Sequence, residues 1–240
     1  MMSTKHRNEA QEIMDDFDLA GSELQDALDK IAKINQLLGG NQLTLNCLKS
    51  LLQNHDKSVE ITVLDVGCGN GDMLRYLSKY AQQNGFAMKF IGVDANDFTI
   101  NYAKKISQNH PKIEYLTQDI FSPTFRAINF DVVICTLTLH HFTTDEISDL
   151  MEHFSQKATI GFVINDLHRS KMAYRLFQLL CVVFQLNKMS KEDGLLSILK
   201  GFKKQELVDF SKKLPQMQHQ IQWKWAFRYQ WIGKKNEYKN

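Results

Sequence analysis

The chain has 240 residues, of which 43% are hydrophobic and 23% are charged, a composition typical of a globular protein with a sizeable core. The formal net charge of +2 lacks the strong basic excess of nucleic-acid-binding proteins, so no nucleic-acid partner is expected. The four cysteines form no C-x-x-C pair, which argues against a structural zinc site and favours a reducing compartment. Because the sequence shows neither an apolar signal segment nor a run long enough to span a bilayer, we expect a cytoplasmic protein.

Residues 1–55 are predicted to form an N-terminal helical cap. Residues 8–53 are predicted to be helical and carry no strand signal. Apolar residues recur at helical spacing from Leu24 to Ile34 and again from Leu43 to Leu52, and Gly39-Gly40 interrupt the pattern, so two or three helices with a glycine joint are expected. Two roles are open for this segment. It is either a stabilising flank or a cover over a functional site, in which the two glycines bring backbone close to a ligand.

Residues 56–240 are predicted to form the main domain, in which strand and helix patterns alternate. This alternation predicts an α/β fold with a doubly wound, mostly parallel sheet and helices on both of its faces. The first five strands are expected at residues 62–66, 89–93, 113–116, 130–135 and 159–164. Helices are expected at residues 99–108 and 144–154.

The spacing changes after the fifth strand. Residues 167–200 predict an apolar helical insertion with a turn at Gly194, and we expect its residues 170–200 to form a mobile lid. The alternative is that this segment forms a homodimer interface. In that case light scattering would show a dimer, and Phe177→Asp and Phe184→Asp would convert it to a monomer. A helix at 203–214 and an antiparallel pair of aromatic-rich strands at 219–225 and 226–232 follow.

The segment 63–72, VLDVGCGNGD, combines an apolar strand with three glycines, and a helical pattern follows it. Glycines permit a tight turn and let a ligand approach the main chain, and the helix N–H groups point into that turn. Dinucleotide-binding enzymes have the spacing G-x-G-x-x-G, whereas this spacing is G-x-G-x-G with Asp65 two residues before the first glycine. A carboxylate there disfavours a pyrophosphate and favours a ligand with an ammonium group and a sulfonium.

This segment resembles the first motif of the class I S-adenosylmethionine (SAM)-dependent methyltransferases. The resemblance extends over residues 59–164 and says little about residues 1–55. It implies a Rossmann-like sheet of seven strands with an antiparallel last strand. It also implies SAM as the cofactor and methyl transfer as the activity.

The resemblance also implies roles for single residues. Asp94, after the second strand, would accept hydrogen bonds from both ribose hydroxyls of SAM. Asp119 would face the adenine amino group with Ile120 against the ring, and Asp65 would orient the loop near the ammonium end. Asp65 and Asp119 have an alternative role as turn or capping acids. The cofactor-binding residues implied are Asp65, Gly67, Cys68, Gly69, Asp94, Ala95, Asp119, Ile120 and Thr136.

Two observations restrict the class of methyl acceptor: motifs that the chain lacks, and a second resemblance. The chain contains neither an Asp/Asn-Pro-Pro-Tyr/Phe loop nor a Pro-Cys pair, which argues against the methylases of DNA. Segments 34–40, 165–169 and 201–202 resemble small-molecule methyltransferases of bacterial polyketide-type pathways. We therefore expect a small apolar or aromatic acceptor and favour O-methylation. C- or N-methylation, an RNA or protein substrate, a nucleotide-binding oxidoreductase and a non-catalytic SAM- or nucleotide-binding module are the alternatives.

Three histidines are candidates for the base that would deprotonate a phenol or enol. His140 and His141 follow the fourth strand, and His168 follows the fifth; a structural role is the alternative for each. His140 is favoured because it is nearer the strand end, and at most one of the adjacent pair is expected to face the ligand. Asp166 could orient His168 or carry the reaction itself. The spacing of the histidines does not predict a metal site, so no metal is expected.

Overall fold

A seven-stranded sheet with helices on both faces forms the centre of the computed structural model, which describes residues 3–236. The strands are β1 (Ile61–Val66), β2 (Met88–Asp94), β3 (Ile113–Thr117), β4 (Val132–Thr136), β5 (Gly161–Leu167), β6 (Met217–Lys224) and β7 (Arg228–Lys235). The helices are α1 (Ser22–Leu37), α2 (Gly40–Leu51), α3 (Asp72–Asn84), α4 (Asp97–Ile106), α5 (Pro123–Arg126), α6 (Thr144–Lys157), α7 (Lys171–Val183), α8 (Lys188–Lys200) and α9 (Lys204–Lys212). Two 3₁₀ turns lie at Ile13–Asp15 and Leu139–His141.

The strand order is β3-β2-β1-β4-β5-β7-β6. Strands β1 to β5 are parallel, and β7 is antiparallel to both of its neighbours. The chain proceeds outward from β1 to β3 and then returns to β4, so the direction of winding reverses between β1 and β4. Ligands of open α/β sheets bind at such a switch point, outside the carboxyl ends of the strands. The predicted doubly wound, mostly parallel sheet is confirmed.

The central strands are apolar at consecutive positions because helices cover both faces of the sheet. In β1, Val63 and Leu64 are both fully buried and point to opposite faces. Val63 packs in the layer that contains Leu48 of α2 and Leu74 of α3. Leu64 packs in the layer that contains Phe154 of α6. Each such side chain contributes about 1.5–3 kcal/mol of transfer free energy, which fixes β1 at the centre of the sheet.

Helix α3 has a left-handed glycine at each end, and only one of the two is crowded. Gly71 precedes the helix with a φ of 76°, and Gly85 follows it with a φ of 72°. A Cβ atom at Gly71 would lie 2.0 Å from the hydroxyl of Tyr115, whereas a Cβ at Gly85 would meet nothing within 4 Å. The Tyr115 hydroxyl is itself buried and lies 2.9 Å from that of Ser107.

We therefore expect Gly71→Ala to destabilise the protein more than Gly85→Ala. Both substitutions carry the cost of a left-handed L-residue, about 1–2 kcal/mol. Gly71→Ala also displaces Tyr115, which adds roughly 1–3 kcal/mol of overpacking. Urea denaturation of the two variants measures the difference, and equal unfolding free energies would contradict the crowding at Gly71.

The N-terminal segment differs from its prediction before residue 22. Helices α1 and α2 are present, and the joint between them is Gly39 with a φ of 77°. Residues 3–21, which we call the N-terminal strap, were expected to be partly helical, but they contain only one 3₁₀ turn. The carboxylate of Asp193 accepts the N–H groups of Ile13 and Met14 at 2.8 and 2.9 Å. Side chains of distant elements thus satisfy the backbone of the strap in place of helical hydrogen bonds.

The insertion after β5 is helical as predicted, but its turn lies elsewhere. Gly194 is inside α8 and not in a turn, and a Cβ there would lie 2.3 Å from the ring of Phe177 in α7. The connection is residues 184–187, where Asn187 caps α8 by accepting the N–H of Ser190 at 2.8 Å.

The outer face of α7 is exposed and apolar. Met172, Leu176, Leu179 and Val183, spaced as one helical stripe, are 62, 40, 61 and 66% exposed. The surface open to a ligand or a second copy is therefore this stripe, since Phe177 packs inward on α8. The roles of lid and dimer interface stay predictions.

Within residues 3–236, every helix is too short or too polar to cross a lipid bilayer. All four cysteine side chains are buried and none is in a disulfide. The cytoplasmic location stays a prediction.

Candidate active site

The glycine-rich loop follows β1 at the switch point of the sheet. Gly67 and Gly69 have φ values of 69° and 52°, in the region that favours glycine. A Cβ at Gly67 would lie 2.3 Å from the methyl group of Thr138, so the segment after β4 lies directly against the loop. The buried thiol of Cys68 lies between the glycines and under Gly92 of β2. The loop therefore closes tightly over the ends of β2 and β4.

Asp94 ends β2 and holds the glycine-rich loop. Its Oδ2 accepts the N–H of Gly69 at 3.1 Å, and its Oδ1 accepts the N–H of Asn96 at 3.1 Å. Burial raises the pKa of Asp94, although the hydrogen bonds from Asn96 and Gly69 oppose the shift. Ala95 continues the same turn toward α4, and Asp94 thus lies between the loops that follow β1 and β2.

Asp65 is buried inside β1, with 2% of its surface exposed. Burial raises the pKa of Asp65 well above its usual range, and the carboxylates of Asp94 and Asp72 raise it further. Asp65 does not cap α3, because the N-cap position of that helix is Gly71. Three acidic groups thus surround the glycine-rich loop, and a cationic ligand there would relieve their repulsion.

The remaining predicted cofactor residues lie along the same edge of the sheet. Asp119 is exposed, and its carboxylate accepts the N–H of Phe121 at 2.9 Å, which is the turn role that the sequence left open. Ile120 is 8% exposed and packs in the apolar layer that contains Val133. The hydroxyl of Thr136, at the end of β4, lies 3.4 Å from that of Thr44 in α2.

His140 and Asp166 form a buried pair at the ends of β4 and β5, with side chains 2% and 1% exposed. The His140 Nδ1–H donates to Asp166 Oδ1 at 2.7 Å, and the His140 backbone N–H donates to Oδ2 at 3.1 Å. Burial would raise the pKa of Asp166, but the charge and hydrogen bond of His140 lower it. An ionised carboxylate can only accept, so the free lone pair of His140 is on Nε2. That atom has no hydrogen-bond partner within residues 3–236.

His141 lies beside His140, with ring centroids 4.3 Å apart and planes inclined by 31°. The prediction that at most one of the two histidines faces the site assumed an extended segment, but the segment is a 3₁₀ turn. The His141 Nδ1–H donates to Asp15 Oδ1 at 2.6 Å. Burial would lower the pKa of His141, but the bond to Asp15 and the charge of Glu12 raise it. His141 therefore holds its proton more tightly and is the weaker candidate for a base.

The N-terminal strap brings two carboxylates to these histidines. Glu12 Oε1 lies 3.9 Å from His140 Nε2 and 3.4 Å from Lys200 Nζ. Asp15 Oδ2 lies 3.3 Å from the same ammonium group. The hydroxyl of Ser197 donates to Glu12 Oε2 at 2.7 Å. The strap and α8 thus close the site above the 3₁₀ turn after β4.

Glu12, His140 and His141 offer three ligand atoms within 4.8 Å of one another, as a metal site would require. Protein groups already balance this cluster, since Lys200 pairs with Glu12 and the Nδ1–H of His141 with Asp15. The carboxylates of Glu12 and Asp15 thus already have partners within the chain. The expected absence of a metal stays a prediction.

His168 lies apart from the other two histidines. Its Nδ1 accepts the indole N–H of Trp223 at 3.2 Å, and its backbone N–H donates to the carbonyl of Phe227 at 2.8 Å. Burial lowers the pKa of His168, and the charges of Lys203 and Arg169 lower it further. Asp166 is paired with His140 and not with the His168 that the sequence suggested, because the 3₁₀ turn after β4 brings His140 onto the end of β5.

A family model described as a methyltransferase domain matches residues 63–158, which contain the glycine-rich loop, Asp94, Asp119 and the adjacent histidines. Residues 63–158 therefore carry a methyltransferase domain. A curated relative, "Putative methyltransferase 235L" of Invertebrate iridescent virus 6, is 25% identical over 112 residues. That match covers 45% of this chain and only 39% of the relative, so the chain spans less than half of the relative's length.

Solved methyltransferase structures share the fold over most of the chain. The plantazolicin methyltransferase BpumL, in complex with SAH, superposes with a TM-score of 0.66 and 18% identity, over 90% of this chain and 96% of BpumL. The magnesium protoporphyrin IX methyltransferase ChlM of Synechocystis PCC 6803, with bound SAM, superposes with a TM-score of 0.55 and 14% identity, over 85% of this chain and 84% of ChlM. At these identities the likeness establishes the fold of the methyltransferase domain.

Several residues of the site lie outside the matched range of the methyltransferase domain. Glu12 and Asp15 come from the strap, Asp166 from β5 and Lys200 from α8. Of these, only Asp166 was considered from the sequence, because it follows an apolar strand. The other three carried no local signal.

Proposed function

We propose that this methyltransferase domain binds SAM and transfers its methyl group to an oxygen of a small, largely apolar phenol or enol, with His140 as the general base. The observation that carries the proposal is the buried His140–Asp166 pair, in which the unpartnered Nε2 is the basic atom. Methyl transfer from a sulfonium needs no acid to assist the leaving group. The protein must therefore align the acceptor and remove its proton.

The position of the pair supports this role. The hydroxyl of Thr138, two residues before His140, donates to the carbonyl of Gly67 at 3.4 Å. The turn that carries His140 is thus attached to the loop expected under the methionine part of SAM. In the proposed step the acceptor O–H would give its proton to His140 Nε2, and the oxygen anion would form a bond to the methyl carbon as the bond between that carbon and the SAM sulfur breaks, which leaves a neutral thioether. The imidazolium that forms is stabilised by the carboxylate of Asp166.

The cover over the site supports a small acceptor. A Cβ at Gly69 would meet Leu28 of α1 at 3.7 Å, so α1 lies over the glycine-rich loop. Arg7 of the strap donates to the carbonyls of His140 and Phe142, at 2.8 Å each. A cover of this kind would help to exclude water from the transfer site and favours a small acceptor over an RNA or protein chain.

The buried acid at the glycine-rich loop gives a test of cofactor charge. The raised pKa of Asp65 means that the folded state binds its proton more tightly than the unfolded state, so stability falls as the pH rises from the unfolded pKa to the folded one. We expect Asp65→Asn to raise the melting temperature of the ligand-free protein at pH 8. The same variant should lose affinity for SAM and for the thioether S-adenosylhomocysteine (SAH) alike, because both carry the ammonium group beside which Asp65 is expected to lie. Thermal unfolding and calorimetry measure both effects, and an unchanged affinity for both ligands would contradict the charge argument.

The proposed function is tested on the purified chain. Mass spectrometry of co-purified ligands should detect SAM or SAH, and calorimetry should show binding of both. SAH formation is then followed with a panel of phenols and enolic polyketide-type compounds. Failure to bind either ligand would overturn the proposal. Binding without turnover on any acceptor would favour a non-catalytic SAM-binding module.

A further inference from the structure

Arg228, the first residue of β7, is a buried cation without a carboxylate partner. It is 3% exposed, and within residues 3–236 no aspartate or glutamate oxygen forms a salt bridge with it. Its Nη1 donates to Asn35 Oδ1 at 2.5 Å, but its Nε has no hydrogen-bond partner. Burial lowers the pKa of Arg228 to about 10, so the side chain is still charged at neutral pH. A desolvated charge in this state is unfavourable unless an anion joins it.

Arg169 shows how the same protein satisfies a guanidinium group that is structural. It is fully buried, yet it donates to Glu206 Oε1 at 2.7 Å and to the carbonyl of Gly201 at 2.5 Å. Its charge is therefore balanced within the chain. Arg228 is nearly as buried as Arg169 but has no carboxylate in the position that Glu206 takes beside Arg169.

Arg228 lies next to the proposed catalytic pair. In the sheet it is opposite Leu167, the residue after Asp166. The negative charge of Asp166 raises the pKa of Arg228, but the Asp166 carboxylate accepts hydrogen bonds from His140 and not from Arg228. The missing counter-ion thus belongs at the carboxyl edge of the sheet, where the ligands are expected.

A chain of buried amides connects Arg228 with the glycine-rich loop. Asn35 Nδ2 donates to Asn41 Oδ1 at 2.6 Å, and Asn41 Nδ2 donates to Asp72 Oδ2 at 2.7 Å. A Cβ at Gly40 would lie 2.3 Å from Arg228 Nη1, so only glycine lets the guanidinium group reach Asn35. The joint between α1 and α2 is thus built around Arg228.

We propose that Arg228, positioned by Asn35, forms a subsite for the carboxylate group of a ligand, either the methionyl carboxylate of SAM or a carboxylate on the methyl acceptor. The proposal rests on the proposed function. The planar guanidinium fork matches a carboxylate, and its Nε edge is the part left without a partner. Binding would supply the charge that the chain lacks at this position.

Arg228→Met and Arg169→Met test the subsite as a matched pair. If Arg228 is a binding residue, Arg228→Met should change the melting temperature of the ligand-free protein little, because the removal of a buried charge offsets the loss of the donor to Asn35 Oδ1. Arg169→Met should lower it, because Glu206 is left unpaired. An Arg228→Met variant that unfolds as early as Arg169→Met would show a structural role and overturn the proposal.

Two binding measurements distinguish the sources of the carboxylate. If SAM supplies it, Arg228→Met weakens SAH about tenfold to 100-fold and leaves 5′-methylthioadenosine, which lacks the amino-acid part, unaffected. If the acceptor supplies it, SAH affinity is unchanged, and benzoate stabilises the SAH-saturated wild-type protein but not the variant. The proposal is overturned if neither SAH affinity nor benzoate stabilisation depends on Arg228. Failure of the wild-type protein to bind SAH would instead overturn the proposed function, and benzoate would then be tested on the ligand-free protein.

Discussion

Replacing His140 by glutamine should lower methyl-transfer turnover by about 10²–10⁴-fold, the usual contribution of a positioned general base. Glutamine keeps a polar side chain beside Asp166 but cannot take a proton from the acceptor. If His140 is the base, wild-type turnover should fall at acidic pH, and this acidic limb should disappear in the variant. SAH formation against pH measures both effects, with SAH affinity by calorimetry as the check that the cofactor site is intact.

His141→Gln is the matched control, since its ring lies 4.3 Å from that of His140 but is tied to Asp15. It should loosen the strap and lower turnover far less, with the acidic limb retained. His168→Gln should also keep the limb. If His141→Gln loses turnover and His140→Gln does not, the base is His141. If all three variants keep near-normal turnover, general-base catalysis by histidine is wrong, and alignment or Asp166 carries the reaction.

Asp94→Ala should weaken SAM binding roughly tenfold to a few hundredfold. In the proposed complex its carboxylate makes two charge-assisted hydrogen bonds to the ribose, each worth about 1.5–3 kcal/mol at most. The variant also removes the acceptor of the Gly69 N–H, so part of the loss comes from a looser glycine-rich loop.

Asp94→Asn separates these two contributions. The amide oxygen can still accept one N–H group, so the loop should stay ordered while one ribose hydrogen bond is weakened. Calorimetry with SAM should then rank wild type above Asp94→Asn and Asp94→Ala last. Asp119→Ala, at an exposed position, should have the smallest effect. An unchanged dissociation constant for Asp94→Ala would rule out the ribose assignment.

The parts of the fold that the sequence predicts are those encoded by neighbouring residues. The apolar run of β1 followed by glycines at 67, 69 and 71 identifies a buried parallel strand and its loop, and the structure has both. Thr143 and Glu146 form the capping box of α6, which begins at residue 144 as predicted. Asp94 could be found because it ends an apolar strand. In each case the physical signal is local in the chain.

The rest of the candidate site depends on contacts between distant segments. Glu12 meets Lys200, and Asn35 meets Arg228, through packing that no spacing rule connects. The strap has no apolar periodicity, because the carboxylate of Asp193 and the guanidinium group of Arg7 hold it in place. The pairing of His140 with Asp166 was missed for a related reason, since it depends on a 3₁₀ turn whose residues have no distinctive pattern.

The place of β7 between β5 and β6 bears on how the chain is made. During synthesis from the N-terminus, β6 leaves the ribosome before β7, yet it has no partner until β7 pairs with β5. The edge of β5, which carries Asp166, stays open for that interval, and an open apolar strand edge is where newly made chains associate wrongly. Ribosome-bound chains stalled before residue 228 should therefore be digested by protease at β5, and chains released after residue 235 should resist. Asp166 thus reaches its final setting among the last steps in the folding of this protein.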